Sequence, residues 1–325
     1  MTPMRWFLVT LRYALAATAV VAAPLWAQQY PAKPVKIVVP FPPGGASDLV
    51  GRVIAQRLTA GLGQQVIVEN KSGATGLIGA EAGVKSPPDG YTLTLISSNY
   101  ATFSSLYKLK FDPVTDITPI IQIAQGPLLV VVHPSLPVTT TQELIAFAKT
   151  NPGKVNAASA GPGSIPHLAS ELFAHMAGIK MNHVPYRGGG PAVTDTIAGQ
   201  TDLYFSSAAA ALPHVRAGKL RAIAVTTSQR HAAAPGVPTV AESALPGYEV
   251  VLWHGLVGPK GLPRPIVERI NTEVKMVLKL RETEDRLQAD GSSPVGSTPE
   301  QFLARIKKDI ELWREVAREA SVQPE

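Results

Sequence analysis

Apolar positions along this chain form short clusters whose period alternates between the two-residue repeat of a strand and the roughly 3.6-residue repeat of a helix. Residues 34–39 (PVKIVV) are β-rich and end in the Pro- and Gly-dense segment PFPPGGASD, residues 40–48. Leu49, Val50, Val53, Ile54, Leu58 and Leu62 then recur at helical spacing, with Asp48, Arg52, Gln56 and Arg57 on the other face. The pattern repeats as a strand at 66–68, a small-residue helix at 75–84 and a strand at 91–96 introduced by the turn PPDG. Strands alternating with helices predict parallel βαβ units.

A second series starts near Leu128. It predicts strands at 129–132, 155–158, 202–205 and 221–226. The helices between them fall at 141–149, from Leu168 to a stop at Gly178, at 191–198 and at 208–217. The tail adds a strand at 248–257, a helix after Pro265 and a last helix with Phe302, Ile306, Ile310, Trp313 and Ala317 on one face. With too few strands for a third sheet, the tail is expected to pack back on the first series. The expected organisation is therefore two doubly wound α/β lobes, 30–131 plus 253–325 and 132–252. Two chain crossings, near Val130 to His133 and near Val250 to His254, make a hinge.

Residues 1–27 change the reading of length and charge. Arg5 and Arg12 bracket a basic start, residues 13–23 (YALAATAVVAA) are apolar, and Leu25-Trp26-Ala27 before Gln28 is an imperfect cleavage site. This is the pattern of a removable signal peptide, its apolar part too short to span a bilayer comfortably. Its two arginines and lack of acids leave +4 of the formal +6 on the mature chain. An exported protein, not embedded in the membrane, is expected. Charged residues at 17%, without long single-sign runs, argue against disorder and a nucleic-acid arm. The absence of cysteine excludes disulfides, thiolate zinc sites and a Cys nucleophile.

Candidate chemistry gathers at glycine-rich helix starts. Gly44 and Gly45 bare their backbone N–H groups where the helix dipole favours an anion, and Ala46, Ser47 and Asp48 complete the loop. Asp48 repels an anion and is assigned to capping or to holding the loop; the whole segment reads equally as a tight turn with a good cap. SAGPGS (Ser159, Ala160, Gly161, Gly163, Ser164) repeats this chemistry, YRGGG (Tyr186, Arg187, Gly188) supplies a third start, and Ser97, Ser98 and Asn99 end a strand. Four such ends describe a cleft of N–H and OH donors suited to a carboxylate. Ser98, Asn99, Tyr100, Tyr186 and Ser206 are candidates for reading the ligand's far end. His167 is read as a buttress of the second loop; Arg187 is either an ion-pair partner or a solvated loop residue. Trp253 and His254 either face the cleft or pack at the crossing.

Other chemistry is poorly supplied. GATGLIG (73–79) lacks the dinucleotide spacing, no phosphate-binding P-loop occurs, and no cofactor is expected. The histidines form no metal-binding motif and no G-x-S-x-G elbow is present, so neither a metal site nor catalytic residues are assigned. An exported hydrolase would need His167 or His254 within hydrogen-bond reach of a cleft serine.

The segments YPAKPVKIVVPFPPGGASDLVGRVIAQRL, VIVENKSGATGLIGA, KSPPDGYTL, ASAGPGSIPHLASELF, HVPYRGGGPAVTDTIAGQTDLYF, VRAGKLRAIAVT, VPTVAES and WHGLVGPKGLP occur in this order. Together they resemble the periplasmic solute-binding proteins of tripartite tricarboxylate transporters, the Bug receptors, over essentially the whole mature chain. The departures are Ala74-Thr75-Gly76 and Ala234-Pro235-Gly236, neither of them in the clamp. The resemblance implies a type II periplasmic-binding fold that closes on a small organic acid. It implies a carboxylate held by the segments at 40–48 and 159–167, and membrane transporter components as partners. A monomer is expected; a membrane signalling receptor is the alternative partner.

Overall fold

The computed structural model describes residues 30–289, 291–319 and 322; the expected signal peptide, residues 1–27, lies outside them. The first βαβ series forms as its periodicity predicts, with β1 (Val35–Val39), α1 (Ala46–Leu62), β2 (Val66–Asn70), α2 (Leu77–Val84) and β3 (Thr92–Ser97). β1 pairs in parallel with β2 and β3. α1 covers one face through Val50, Ile54 and Leu58, all buried against Val39, Leu93 and Leu95. Burial of each such side chain stabilises the fold by about 1.5–3 kcal/mol. A 3-10 turn at Ser98–Thr102 and the short α3 (Phe103–Leu106) follow β3.

β4 (Ile117–Val132) is 16 residues long and belongs to two sheets. Its first part, to Pro127, pairs antiparallel with β9 (Val251–Pro259), which also pairs with β3. From Leu128 onward it pairs with β7 (Leu203–Ser207) on one side and β8 (Arg221–Val225) on the other. β5 (Asn156–Ser159) then joins β7, and β6 (Asn182–Pro185) joins β5, both in parallel. The resulting path is β2-β1-β3-β9-β4-β7-β5-β6, with β8 and β10 (Ser293–Pro294) pairing to β4 beside it.

Helices α4 (Thr141–Thr150), α5 (Ile165–Ala177), α6 (Gly189–Ile197), α7 (Ala208–Arg216) and α8 (Val240–Ser243) belong to the second series. α5 is capped by the Ser164 hydroxyl, which accepts the His167 N–H, and stops at Gly178 in the left-handed conformation (φ 60°). In the tail, α9 (Arg264–Leu278) packs on α1 and β4, and α10 (Arg281–Ala289) follows it.

α11 (Pro299–Glu319) does not stay on the first series. It packs against β4 and the 98–106 segment, and also against α5. Its Phe302, Ile306, Ile310 and Trp313 share one continuous core with Tyr100, Phe103, Leu128, Phe173 and Phe205. A Cβ on Gly255 would lie 2.3 Å from the Phe302 ring, so the glycine in β9 is what lets this helix approach the sheet. Trp253 is fully buried here rather than lining a cleft, its ring 5.4 Å from Phe302 and nearly perpendicular to it. Its Nε1–H donates to Asp309 Oδ2 at 2.6 Å, and Arg305 pairs with the same carboxylate.

Candidate functional site

Strand register brings the glycine loops together. Ser97 at the end of β3 pairs with His254, and His254 pairs with Ala124 of β4. Ser207 at the end of β7 pairs with Leu128 of the same strand. Four residues of β4, about 13 Å, therefore separate the carboxyl-terminal ends of the two parallel strand sets. The loops after β1, β3, β5 and β7 all open at this seam.

The first loop has donors to spare. Gly44 adopts φ +86° and gives its N–H to Asp48 Oδ2 at 2.9 Å. Asp48, 4% exposed, also accepts from Arg52 Nε (2.9 Å) and Asn70 Nδ2 (2.8 Å). Burial acts to raise this carboxyl, but the hydrogen bonds from Arg52, Gly44 and Asn70 outweigh it and leave the group below the usual carboxylate range. Asp48 is thus the brace of the loop, and its charge is already engaged. The N–H groups of Gly45, Ala46 and Ser47 have no protein partner among the described residues. Three orphan donors thus stand at the positive end of a 17-residue helix, the end whose dipole favours an anion.

The second loop differs, although its composition looks the same. Gly161 N–H binds the Ser159 hydroxyl at 3.1 Å, Gly163 N–H binds His167 Nδ1 at 3.0 Å and Ile165 N–H binds Asn99 Oδ1 at 3.2 Å. Ser164 donates to Gly161 O at 2.7 Å as well as capping α5. Most donors of SAGPGS are therefore consumed inside the protein, leaving the N–H of Ala160 without a protein partner among the described residues. The Asn99 contact joins the loop after β3 to the start of α5. Leu106 lies beside Gly163, where a Cβ would come within 2.1 Å of its Cδ1.

Around the seam, α6 starts at Gly188 (φ +113°) without a side-chain cap, beside the exposed Arg187. Tyr186 is half-buried, and burial and a hydrogen bond with Asp195 push its hydroxyl pKa up. Ser206 is fully buried and donates to Ser207 O at 3.3 Å. Ser98 is buried too, and the Ser97 hydroxyl is buried without a partner. Tyr100 is not a ligand reader: its ring is 2% exposed, edge-on to Phe103, and its hydroxyl donates to Pro113 O at 3.0 Å. The aromatic period of 98–106 supports a core turn as well as a strand-end loop, and the packing decides for the core.

Reading the sequence missed His183, whose Nε2 lies 2.6 Å from the Ser159 hydroxyl. The available signal was its place on the strand beside SAGPGS. It also left open the role of His254, which is buried with Nε2 3.1 Å from Ser47 Oγ. This histidine–serine contact is not a catalytic pair. Burial lowers the His254 pKa to about 4, which makes it a weak base. The nearby carboxylate, Asp48, is committed to Arg52, Gly44 and Asn70. Ser47 is itself only 7% exposed.

A cavity of about 540 Å³, lined by Thr118, Arg264, Asn271 and Lys275 among others, touches none of the glycine loops. No group of three or more His, Asp or Glu among the described residues is arranged to hold a metal. No described helix is long and apolar enough to cross a membrane.

Two α/β halves sharing long strands, with donor-rich loops at the seam, define the periplasmic-binding-protein fold. The family model described as "Tripartite tricarboxylate transporter family receptor" matches residues 50–321, and the chain belongs to that family of solute-binding receptors, which are not enzymes. It is 38% identical to Protein BugT of Bordetella pertussis over 310 residues, 94% of this chain and 95% of the relative. Among solved structures, Rpa4515 of R. palustris with adipate is 36% identical, with a TM-score of 0.82 over 91% of this chain and 100% of that one. MatC of Rhodopseudomonas palustris with bound malate is 31% identical, with a TM-score of 0.77 over 88% and 99%.

Proposed function

We propose that the chain is a periplasmic receptor that binds a small organic acid at the seam between its two halves. It then delivers the acid to the membrane components of a tripartite tricarboxylate-type transporter. The observation that carries this reading is the open row of N–H groups at Gly45, Ala46 and Ser47, set by register at the point where both strand sets end. One carboxylate of the ligand docks there, on the positive end of α1. Ala160, Gly188 and the hydroxyls of Ser97, Ser98 and Ser206 border the rest of the seam, while Asp48, Ser159, Gly161, Gly163, Ser164 and His167 hold the loops in place. Arg187 is the cation available to a second anionic group. Adipate and malate, carried by two solved relatives, support the ligand class.

The lobes of this reading are 30–131 with 253–325, and 132–252. Ligand contacts on both sides of the seam favour the closed arrangement, and that difference is what a membrane partner reads. Isothermal calorimetry against mono-, di- and tricarboxylates, aromatic acids and neutral sugars tests the proposal. Binding of an acid with a negative heat-capacity change supports it; binding of sugars with no acid bound overturns it.

A further inference from the structure

His167 on α5 and His183 on β6 stack face to face, with ring centroids 3.7 Å apart and planes 8° from parallel. Each ring anchors one end of the second glycine loop. His183 Nε2 meets the Ser159 hydroxyl, which accepts the Gly161 N–H; His167 Nδ1 accepts the Gly163 N–H. A ring nitrogen that accepts a hydrogen bond carries no proton, so the Gly163 contact needs a bare Nδ1 on His167, whose Nε2 lies 3.6 Å from Glu171 Oε1.

The surroundings keep the pair from holding two charges. Burial and then His167 lower the His183 pKa to about 4, against a smaller opposing effect of Glu171. Glu171, on α5 itself, is the carboxylate beside the stack. β5 (NAAS), β6 (NHVP), β7 (LYFSS) and the 98–102 turn (SNYAT) bring no other ionisable side chain than His183, Tyr204 and Tyr100. α11 pairs Glu319 with His175, about two turns beyond His167, and its Arg305, Lys308 and Asp309, with Glu249, share a cavity with Leu172 and Met176 of α5; the Tyr248 hydroxyl donates to Ala169 O of the same helix.

We propose that the His167–His183 stack positions the second glycine loop and makes ligand affinity pH-dependent: a proton on His167 Nδ1 sets donor against donor at the Gly163 N–H, the loop loses that anchor, and affinity falls as pH falls. This rests on the carboxylate-receptor reading above. Neither imidazole needs to touch the ligand; both act through the loop backbone.

The test uses the full mature chain, with adipate and malate as probes, by calorimetry between about pH 7.5 and pH 5, the range over which an imidazole gains charge. His167→Phe keeps a flat ring but no acceptor, and is expected to bind at least about tenfold more weakly at the upper pH. His167→Asn offers an amide oxygen that accepts the Gly163 N–H and does not titrate; it is expected to recover most of that loss with a flatter pH profile. Titration of the probe is common to all variants, so the difference in slope between wild type and His167→Asn is the measure. Equal slopes overturn the proposal. A ligand-free readout separates it from the binding reading. Exchange of the Gly163 amide, corrected for its intrinsic rate, is expected to rise about tenfold at the lower pH in wild type and not in His167→Asn. If neither probe binds, the choice of acid fails while the amide still decides; an amide indifferent to pH in wild type overturns the positioning role.

Discussion

The Ser47 hydroxyl at the start of α1 lies 3.1 Å from Nε2 of His254 in the middle of β9, so the proposed anion seat is tied to one of the strands that link the two halves. Removing the imidazole by His254→Leu leaves a buried hydroxyl without a partner. That orphan and the lost packing are expected to lower stability by about 2–4 kcal/mol, measured as a shift of the urea midpoint at constant m. Affinity for the bound acid should weaken together with stability.

The same histidine gives a pH dependence with a definite sign. His254 has a folded pKa near 4, below the ordinary imidazole value of 6.5, so the folded state binds fewer protons between those values. Stability is then fully present above about pH 6.5 and falls as pH drops toward 4, by at most about 3 kcal/mol from this residue. His183, also lowered to about 4, acts in the same direction. Denaturant midpoints across this range should show the decline, and His254→Leu should flatten it.

Asp48 braces the first loop through three hydrogen bonds. Asp48→Ala is expected to free Gly44 and Asn70, weaken ligand affinity about tenfold or more, and cost about 1–3 kcal/mol of stability. Calorimetry and urea unfolding on one preparation check both. A carboxylate merely facing solvent would produce neither effect.

Two glycines make opposite predictions. Gly45 has an ordinary φ of −84°, and a Cβ there meets nothing nearer than Pro42 O at 3.8 Å. Gly45→Val should therefore fold with little change in melting temperature while ligand binding falls by more than about tenfold, because the branched side chain covers the N–H row. Gly163 combines φ +68° with Leu106 in the path of any Cβ. Gly163→Ala should destabilise by about 1–3 kcal/mol before any ligand is added.

Tyr100 tests the correction from binding residue to core residue. Tyr100→Phe removes one donor to Pro113 O and keeps the ring, so a loss of about 1 kcal/mol in stability is expected, with ligand affinity unaltered. A change in acid preference, seen by competition calorimetry, would return this side chain to the seam.

The βαβ rhythm was legible because its signals are local: β1, α1, β5 and α5 follow from apolar period, caps and turn residues. The first part of β4 was not. Residues 117–127 include Pro119, Gln122, Gln125, Gly126 and Pro127, and they are a strand because β9, more than a hundred residues away, lies beside them. α10 was missed for the opposite reason, since Thr283 and Leu287 are its buried residues and its apolar stripe is too narrow to read. The site was half legible. Composition marked both glycine loops as donor-rich, yet which donors stay open depends on acceptors such as His167 and Asn99 that only packing brings near.

β4 carries one further consequence. A strand whose successive side chains point to opposite faces cannot slip by one residue without exchanging its inner and outer sets. Because this strand serves as a member of both sheets, a single-residue deletion between Ile117 and Pro127 would misalign Leu128 to Val132 against β7 and β8 as well as Ile120, Ile121 and Ile123 in the first core. Neither half has a private spine on which to fold correctly alone, so errors of alignment in one are inherited by the other.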